Sequence, residues 1–412
     1  MTYNYFRLPN GIRLIHRQSQ TKVAHCALMV NTGSRDEEAR ENGIAHLIEH
    51  MIFKGTGKRK TYHVLSRLEN VGGDLNAYTT KEETCIHASF LTDHLERCLE
   101  LFADIAFNAT YPANELEKEK DVIIDEINSY KDTPAEEIFD EFEGQVFDKH
   151  PIGRNILGTI GHVKNFSRAD IFRFIYKNYS TNEMVISLVA DVPFQALIRL
   201  ANKYFGVVNL WQPVTKRFAF DEYQVSNRRL ERQGYLSHCT LGNIAFSQID
   251  TQKHAMILLN NILGGPGLNS RLNLNIREKY GFCYTIESHY SAYSDTGLFV
   301  VYLGTDPKSL DKTIQLVYKE LKKLTDVTLG GLQLYRAKQQ LIGQLAISFE
   351  SGLSETLAIA RSHLLFDEVD DMQELVRKIE RISATDLLDA ANQVFKPDQI
   401  SQLIFASNNA KT

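Results

Sequence analysis

The stretch GIAHLIEHMIFKGT, residues 43–56, places two histidines and a glutamate inside one apolar run. The segment AHLIEHMIF contains neither glycine nor proline, and its length predicts a helix. On a helix, His46 and His50 project from one face one turn apart, with Glu49 beside both. Burying such polar groups without partners costs roughly 2–7 kcal/mol each, so this face of the helix requires a polar partner.

A metal ion is one partner that would satisfy these side chains. Two imidazoles at this spacing can bind one Zn²⁺ at about 2.0–2.1 Å each. Glu49 is then placed to take a proton from a metal-bound water, whose pKa zinc lowers to about 7.

A third ligand is predicted in the helix-forming segment NELEKEKDVIIDEINSY, residues 114–130. Glu119 and Glu126 are two turns apart and share a face with Val122 and Ile123 between them. If this helix packs against the first, Glu126 supplies a third ligand and leaves a fourth position for water, as in catalytic zinc sites. Glu119 would then orient one of the histidines. The alternative is a solvated acidic face on an exposed helix.

The bulk composition excludes several classes of protein. A length of 412 residues suggests two or three domains, and 43% hydrophobic with 24% charged residues is typical of globular proteins. The net charge of −5, without a dense Lys/Arg block, argues against a nucleic-acid partner. Five scattered cysteines without a C-x-x-C pair argue against a disulfide framework. No long apolar span or signal-peptide pattern is evident, so we expect no membrane association and a cytoplasmic location.

The chain reads as two halves of similar pattern. Each half opens with strands, continues into helices, and ends with an apolar strand, near 184–192 in the first and near 401–407 in the second. Residues 209–232 are polar and without strong periodicity, which predicts a linker. We therefore predict an α+β fold of two similar domains from an internal duplication, each an antiparallel-rich sheet packed with helices. The zinc-binding catalytic domain would span 1–208, and a C-terminal domain 233–412.

The segment GGDLNAYTTKEETCIHASF, residues 72–90, predicts a hairpin with its turn near Lys81–Glu83. An exposed edge there could take an extended peptide as an added strand. Asn76 could donate its amide to a polarised carbonyl, or it could simply cap a turn.

The second half contains NNILGGPGLNSRLNLNIREKYGFCYTIES, residues 260–288. Its glycines permit a mobile or tightly turned loop: Gly264, Gly265 and Gly267. A phosphate-binding loop is disfavoured, because no G-K-[ST] follows.

These motifs, in this order, resemble the inverted zinc-site motif of the pitrilysin/insulinase-type peptidases, which include mitochondrial processing peptidase and insulin-degrading enzyme. The resemblance rests on HLIEH followed 76 residues later by Glu126, on NTGSRDE before it and HMIFKGT after it, and on HPIGRNILGT at 150–159. It covers nearly the whole chain and is nearest to the single-unit bacterial peptidases of the family.

The resemblance implies one zinc per chain, with His46, His50 and Glu126 as ligands. It also implies that Glu49 is the general base and that Glu119 is a supporting carboxylate.

On the substrate side, Asn76 and Ala77 resemble the family's substrate-contacting strand. Phe53 matches a position that borders the pocket beside the scissile bond, although core packing is the simpler interpretation. The glycines resemble the substrate loop, and Arg277 with Tyr284 matches a pair that reaches the scissile carbonyl, although these two could be surface and core residues. The chain departs from the family pattern at Pro266, which would stiffen the loop, and at Cys283.

We therefore expect a zinc metalloendopeptidase that hydrolyses peptides or unfolded polypeptide segments in a closed chamber. The alternatives are a non-catalytic scaffolding or regulatory paralogue of the same fold and an amidase for small molecules. Because family members pair chain-sized units, with the Arg–Tyr pair reaching the zinc site of the opposite unit, we expect a homodimer, or a heterodimer with a related chain.

Overall fold

The computed structural model describes residues 2–213 and 216–408. The chain divides into two compact units. Unit 1 comprises Met1–Asn128, Arg154–Arg217 and Ala346–Met372. Unit 2 comprises Ser129–Gly153, Phe218–Leu345 and Gln373–Thr412.

The secondary structure mixes strands and helices along the whole described chain. The strands are β1 (Asn4–Arg7), β2 (Arg13–Gln18), β3 (Val23–Val30), β4 (Asp74–Thr79), β5 (Thr84–Leu91), β6 (Met184–Ala190), β7 (Asn227–Arg232), β8 (Ser237–Ala245), β9 (Cys283–Ala292), β10 (Gly297–Thr305) and β11 (Ser401–Ser407). The helices are α1 (Ile44–Met51), α2 (Thr61–Glu69), α3 (Leu95–Phe107), α4 (Ala113–Lys131), α5 (Pro134–Val146), α6 (Ile160–Asn165), α7 (Arg168–Asn178), α8 (Phe194–Tyr204), α9 (Lys253–Gly264), α10 (Leu310–Asp326), α11 (Gly331–Phe349), α12 (Gly352–Phe366), α13 (Met372–Arg381) and α14 (Ala384–Val394).

Unit 1 is built on a six-stranded mixed sheet in the order β1-β2-β6-β3-β5-β4. Strand β6 pairs in parallel with β2 and antiparallel with β3, and every residue of β6 is buried. Helices α1 and α3 contribute to one core with the apolar residues of this sheet. Helix α12, although late in the chain, packs against β3 and β6. A strand covered in this way needs apolar side chains on both faces, which explains the run MVISLVA, whose one polar residue, Ser187, donates to the Thr356 carbonyl oxygen of α12 at 2.8 Å.

Unit 2 repeats the same plan with a five-stranded sheet in the order β7-β11-β8-β10-β9. The strands correspond one to one with β2-β6-β3-β5-β4, including the parallel pair, which is β7 with β11. Helix α5 packs against β8 and β11, the counterparts of β3 and β6. This shared order confirms the prediction of two similar α+β domains.

The residue ranges of the two units differ from the predicted division into one N-terminal and one C-terminal stretch. Segment 129–153 lies in unit 2, and segment 346–372 lies in unit 1. The physical reason is that α5 and α12 bury their apolar faces on sheets whose strands come largely from elsewhere in the chain. Part of the predicted linker, Asn227–Arg232, is strand β7. Residues 214–215 of that linker, and 409–412 of the predicted C-terminal domain, lie outside the described residues.

Candidate metal centre

Helix α1 carries both histidines at the border of the hydrophobic core. Its apolar residues are buried in unit 1: Ile44, Ala45, Leu47, Ile48 and Met51. The packing of these residues sets the rotation of the helix. His46 and His50 then lie one turn apart, with ring centroids separated by 4.6 Å.

Helix α4 brings a carboxylate to the two imidazoles. Glu126 Oε2 lies 3.7 Å from Nε2 of His46 and 3.7 Å from Nε2 of His50. One ligand atom from each residue lies within 4.8 Å of the other two. Two donors bonded to a tetrahedral zinc ion at about 2.0–2.1 Å stand roughly 3.3–3.4 Å apart. The spacing and the donor set, two imidazoles and a carboxylate, therefore fit a zinc ion.

A second carboxylate on α4 contacts His50. Glu119 Oε2 lies 3.1 Å from His50 Nδ1, and Glu119 Oε1 lies 2.7 Å from Lys54 Nζ. The Glu119 side chain is only 9% exposed. Metal-binding histidines commonly donate their second ring N–H to a carboxylate, which fixes the tautomer. This contact favours a lone pair on His50 Nε2, the atom that faces Glu126.

Burial controls the charge of the side chains around this cluster. It lowers the pKa of His46 to about 3, with a further contribution from His50, so the imidazole of His46 is neutral near pH 7. Burial also raises the pKa of Glu49 above its usual value, against the opposing influence of Thr79 and His50, and the charge of Glu126 adds to the increase. The arrangement can hold a cation between two imidazoles and a carboxylate, while a separate carboxylate beside the cluster can exchange a proton.

Glu37, which the sequence analysis did not single out, holds the first turn of α1. Its side chain is buried and accepts hydrogen bonds from the backbone N–H groups of Gly43 and Ala45, both at 3.0 Å, and from Asn42 Nδ2 at 3.1 Å. Burial raises the pKa of Glu37 to about 8, and hydrogen bonds from these three donors oppose the increase. The available signal was the acid that ends NTGSRDE, because carboxylates often cap helix starts.

Two glycines let the segment before α6 pack against the start of α1. Gly43 and Gly158 have φ values of +100° and +76°. A Cβ on Gly43 would lie 2.7 Å from the Leu157 carbonyl oxygen. A Cβ on Gly158 would lie 2.7 Å from Gly43 Cα and would overlap the carbonyl oxygen of Asn42. The motif HPIGRNILGT therefore contributes a close backbone contact that supports the helix with the histidines.

The predicted hairpin over 72–90 is confirmed as β4 and β5, with residues 80–83 between the strands. Strand β4 lies at the edge of its sheet and packs against α1. Asn76 is exposed on this strand, and its Oδ1 accepts a hydrogen bond of 2.8 Å from the N–H of Ala77. Ala77 and Phe53 pack, partly buried, against the core of unit 1.

The predicted glycine-rich loop lies in unit 2. Gly264 ends α9 at a close approach to β9, where a Cβ would lie 2.6 Å from the backbone nitrogen of Ser288. Gly265 and Gly267 follow, and in the same loop Asn269 Nδ2 donates to Gln340 Oε1 of α11 at 2.8 Å. The loop is therefore hydrogen-bonded to a helix of its own unit.

Arg277 and Tyr284 also lie in unit 2, so the structure assigns them to a different unit from the histidine cluster. Arg277 belongs to a π-helix, Asn273–Glu278, and its Nη1 lies 3.3 Å from Asn273 Oδ1. Short π-helical segments are rare in proteins, and those that occur are often found at functional sites. Tyr284 is 78% exposed near the start of β9.

Within residues 2–213 and 216–408, the His46–His50–Glu126 group is the only cluster of three metal-ligating side chains of these types. In the same part of the chain, no helix is both long enough and apolar enough to cross a bilayer.

Two family models match the chain. Residues 13–160 match the insulinase family, peptidase family M16, and residues 165–341 match the peptidase M16 inactive domain. A Bacillus subtilis protein named as the uncharacterized zinc protease YmxG is 29% identical over 403 residues, covering 97% of each chain. An uncharacterized zinc protease of Rickettsia felis is 30% identical over 406 residues, covering 98% of this chain and 97% of its own.

Solved structures share the fold. A peptidase M16 inactive domain from Pseudomonas fluorescens has a TM-score of 0.92 at 20% identity, covering 100% of both chains. A protease from Helicobacter pylori has a TM-score of 0.88 at 22% identity, covering 98% of this chain and 99% of its own.

Proposed function

Because the chain belongs to the insulinase family of peptidases, peptidase family M16, we propose that it is a zinc-dependent endopeptidase that cleaves peptides or unfolded polypeptide segments. The observation that carries the proposal is the convergence of His46, His50 and Glu126 within 4.8 Å, with Glu49 beside them. Relatives named as zinc proteases along the full length of the chain support it.

His46, His50 and Glu126 would hold one zinc ion per chain. A zinc ion bound there would lower the pKa of a water molecule and polarise the scissile carbonyl. Glu119 keeps His50 in the tautomer that offers Nε2, and Lys54 neutralises the second oxygen of Glu119.

Glu49 is the proposed general base. It lies outside the group of three candidate ligands but close enough to His50 and Glu126 for their charges to act on its pKa, so its carboxylate would accept a proton from the attacking water. It then delivers that proton to the leaving amine as the peptide bond breaks.

Strand β4 is the proposed binding edge for the substrate. It lies at the end of its sheet, where an extended peptide can pair with the backbone regardless of side-chain identity. Asn76 is exposed on that strand and would donate its amide to a substrate carbonyl. Ala77 and Phe53 would contact the substrate near the scissile bond.

Arg277, Tyr284 and the glycine-rich loop are proposed to act on the substrate bound to a second chain. Tyr284 is exposed, and it belongs to unit 2 whereas the candidate zinc ligands belong to unit 1. A homodimer, or a heterodimer with a related chain, would then contain composite active sites.

A non-catalytic role is the second candidate, favoured by the match of residues 165–341 to the family's inactive domain. That match begins after the segment that holds the candidate zinc ligands and Glu49. The catalytic proposal therefore depends on residues outside the inactive-domain match.

Two measurements on the purified protein test the proposal. Metal analysis should give about one zinc per chain, lost in His50→Ala and retained in His63→Ala, which removes an exposed histidine of α2. Profiling of cleavage products from a mixed peptide library should show hydrolysis that a chelator abolishes. Zinc retained in His50→Ala contradicts the metal site, and zinc binding without any hydrolysis favours the non-catalytic role.

A further inference from the structure

Helix α1 begins without a side-chain cap of its own. Its N-cap residue is Gly43, which has no side chain to satisfy the first N–H groups of the helix. Ile44 and Ala45 form the first turn, and His46 follows directly. The orientation of this turn therefore sets the direction of the first candidate zinc ligand.

Glu37 supplies the missing cap from six residues upstream. One carboxyl oxygen accepts from Gly43 N–H and from Asn42 Nδ2, and the other accepts from Ala45 N–H. The side chain therefore bridges the residue before the helix and the residue immediately before His46. It is 3% exposed, so water does not compete effectively for these donors.

Glu37 is in turn held by the segment 154–158. Arg154 Nη1 donates to the Glu37 carbonyl oxygen at 2.7 Å, and Asn42 Nδ2 also donates to the Asn155 carbonyl oxygen at 2.8 Å. Gly158 lies in backbone contact with Gly43. The start of α1 is thus fixed from two sides.

We propose that Glu37 is a positioning residue for the metal centre, which sets zinc affinity by fixing the turn of α1 that carries His46. The inference rests on the proposed function, in which His46, His50 and Glu126 hold the zinc. Glu37 contacts none of these three side chains through the hydrogen bonds described, so it acts on the metal through the backbone of α1. A carboxyl group is required because both of its oxygens are used as acceptors.

The test compares Glu37→Gln with a matched control, Glu41→Gln. The amide introduced by Glu37→Gln would turn an NH₂ group toward a backbone N–H, so one cap bond is lost. Glu41 is equally buried, and it accepts from Glu38 N–H at 3.1 Å without a hydrogen bond to α1. Both substitutions replace one buried carboxyl group in the segment just before α1, and Glu41 also lies 3.8 Å from Arg173 Nε, but only Glu37→Gln removes a cap bond.

Zinc affinity is measured by competition with a chromophoric chelator, and the visible spectrum of the Co²⁺-substituted protein reports ligand geometry. Removing groups that orient metal ligands typically weakens metal binding about 10–100-fold. We expect Glu37→Gln to weaken zinc binding at least about ten-fold and to change the Co²⁺ spectrum, whereas Glu41→Gln should stay within about three-fold of wild type with its spectrum unchanged. Equal effects of the two substitutions, or an unchanged affinity in Glu37→Gln, would overturn the proposal.

If Glu37→Gln does not fold, Glu37→Asp takes its place, because the shorter acid cannot reach both N–H groups. Wild-type affinity in Glu37→Asp would equally overturn the proposal. Failure of the proposed function is distinguishable: the wild-type protein would then bind no zinc, or would keep zinc in His50→Ala.

Discussion

Two glycines of unit 1 provide a controlled test of the close contact beneath α1. Gly158 and Gly72 have nearly the same φ, +76° and +75°. A Cβ on Gly72 would have no heavy atom within 4 Å, whereas one on Gly158 would overlap the Asn42 carbonyl oxygen. Alanine at either position meets the strain of a similar positive φ, so the difference between the two variants reports mainly on the contact.

The expected magnitudes follow from this geometry. A left-handed backbone costs an L-residue roughly 1–2 kcal/mol, and part of this is offset by the reduced entropy of the unfolded chain, about 0.4–1 kcal/mol for Gly→Ala. Gly72→Ala should therefore cost about 1 kcal/mol. Gly158→Ala should cost roughly 1–3 kcal/mol more, since both partners in the overlap are backbone and cannot rotate away.

The single tryptophan makes this measurement specific to unit 1. Trp211 is the only tryptophan in the sequence, and it belongs to unit 1. Urea unfolding followed by its fluorescence should give a midpoint for Gly158→Ala roughly 0.5–1.5 M below that of Gly72→Ala, for a urea dependence of about 2 kcal/mol/M. Equal midpoints for the two variants would refute the reasoning that the Gly43–Gly158 contact is close-packed.

Three further predictions concern the metal centre and its assembly. Glu119→Gln should raise the zinc dissociation constant about 10–100-fold, since His50 Nδ1 loses its carboxylate. Chelator competition measures this, with Glu117→Gln, an exposed position on the same helix, as the control. A change below about three-fold in Glu119→Gln contradicts the prediction. Glu49→Gln should keep zinc by metal analysis and reduce peptide hydrolysis about 10²–10⁴-fold, and activity within about three-fold of wild type would exclude Glu49 as the base. Mixing inactive Glu49→Gln and Arg277→Ala chains should restore roughly a quarter of wild-type activity after subunit exchange if dimer sites are completed in trans, and no recovery after verified exchange would reject that arrangement.

The local part of the candidate metal centre could be predicted from the sequence. The spacing of His46 and His50 and the two-turn separation of Glu119 from Glu126 are properties of single helices, and side-chain periodicity gives them directly. The structure brings His46, His50 and Glu126 together, and it places Glu119 against His50. Their roles in binding zinc stay predictions.

The support of α1 could not be predicted, because it depends on how distant backbone segments meet. Gly158 lies 115 residues after Gly43, and no periodic pattern connects them. Glu37 carries only the weak signal of an acid before a helix, because it lies six residues before the N-cap Gly43 and caps α1 through the path of the loop between them. Such contacts depend on the tertiary structure, which local sequence patterns do not reveal.

Strand β7 was missed for a related physical reason. Among the described residues it pairs only with β11, 175 residues later, and its side chains are mostly exposed. A strand at the edge of a sheet with many charged residues shows little of the alternation that indicates burial. The sequence NRRLER is therefore typical of a polar linker, although it forms the edge strand of the sheet in unit 2.

The shared topology of the two units shows which features come from the fold and which come from particular side chains. Helix α9 follows β8 and precedes the β9–β10 hairpin, as α1 follows β3 and precedes β4–β5. Its sequence, KHAMILLNNILG, contains no acidic residue, and its buried Asn261 bonds to the neutral amide of Gln344. A buried amide paired with another amide needs no ion, whereas two imidazoles beside a carboxylate offer three donors to a single cation. The same architecture therefore gives a candidate metal centre on α1 and a neutral amide pair on α9, so we expect that α9 cannot restore zinc binding once the histidines of α1 are replaced.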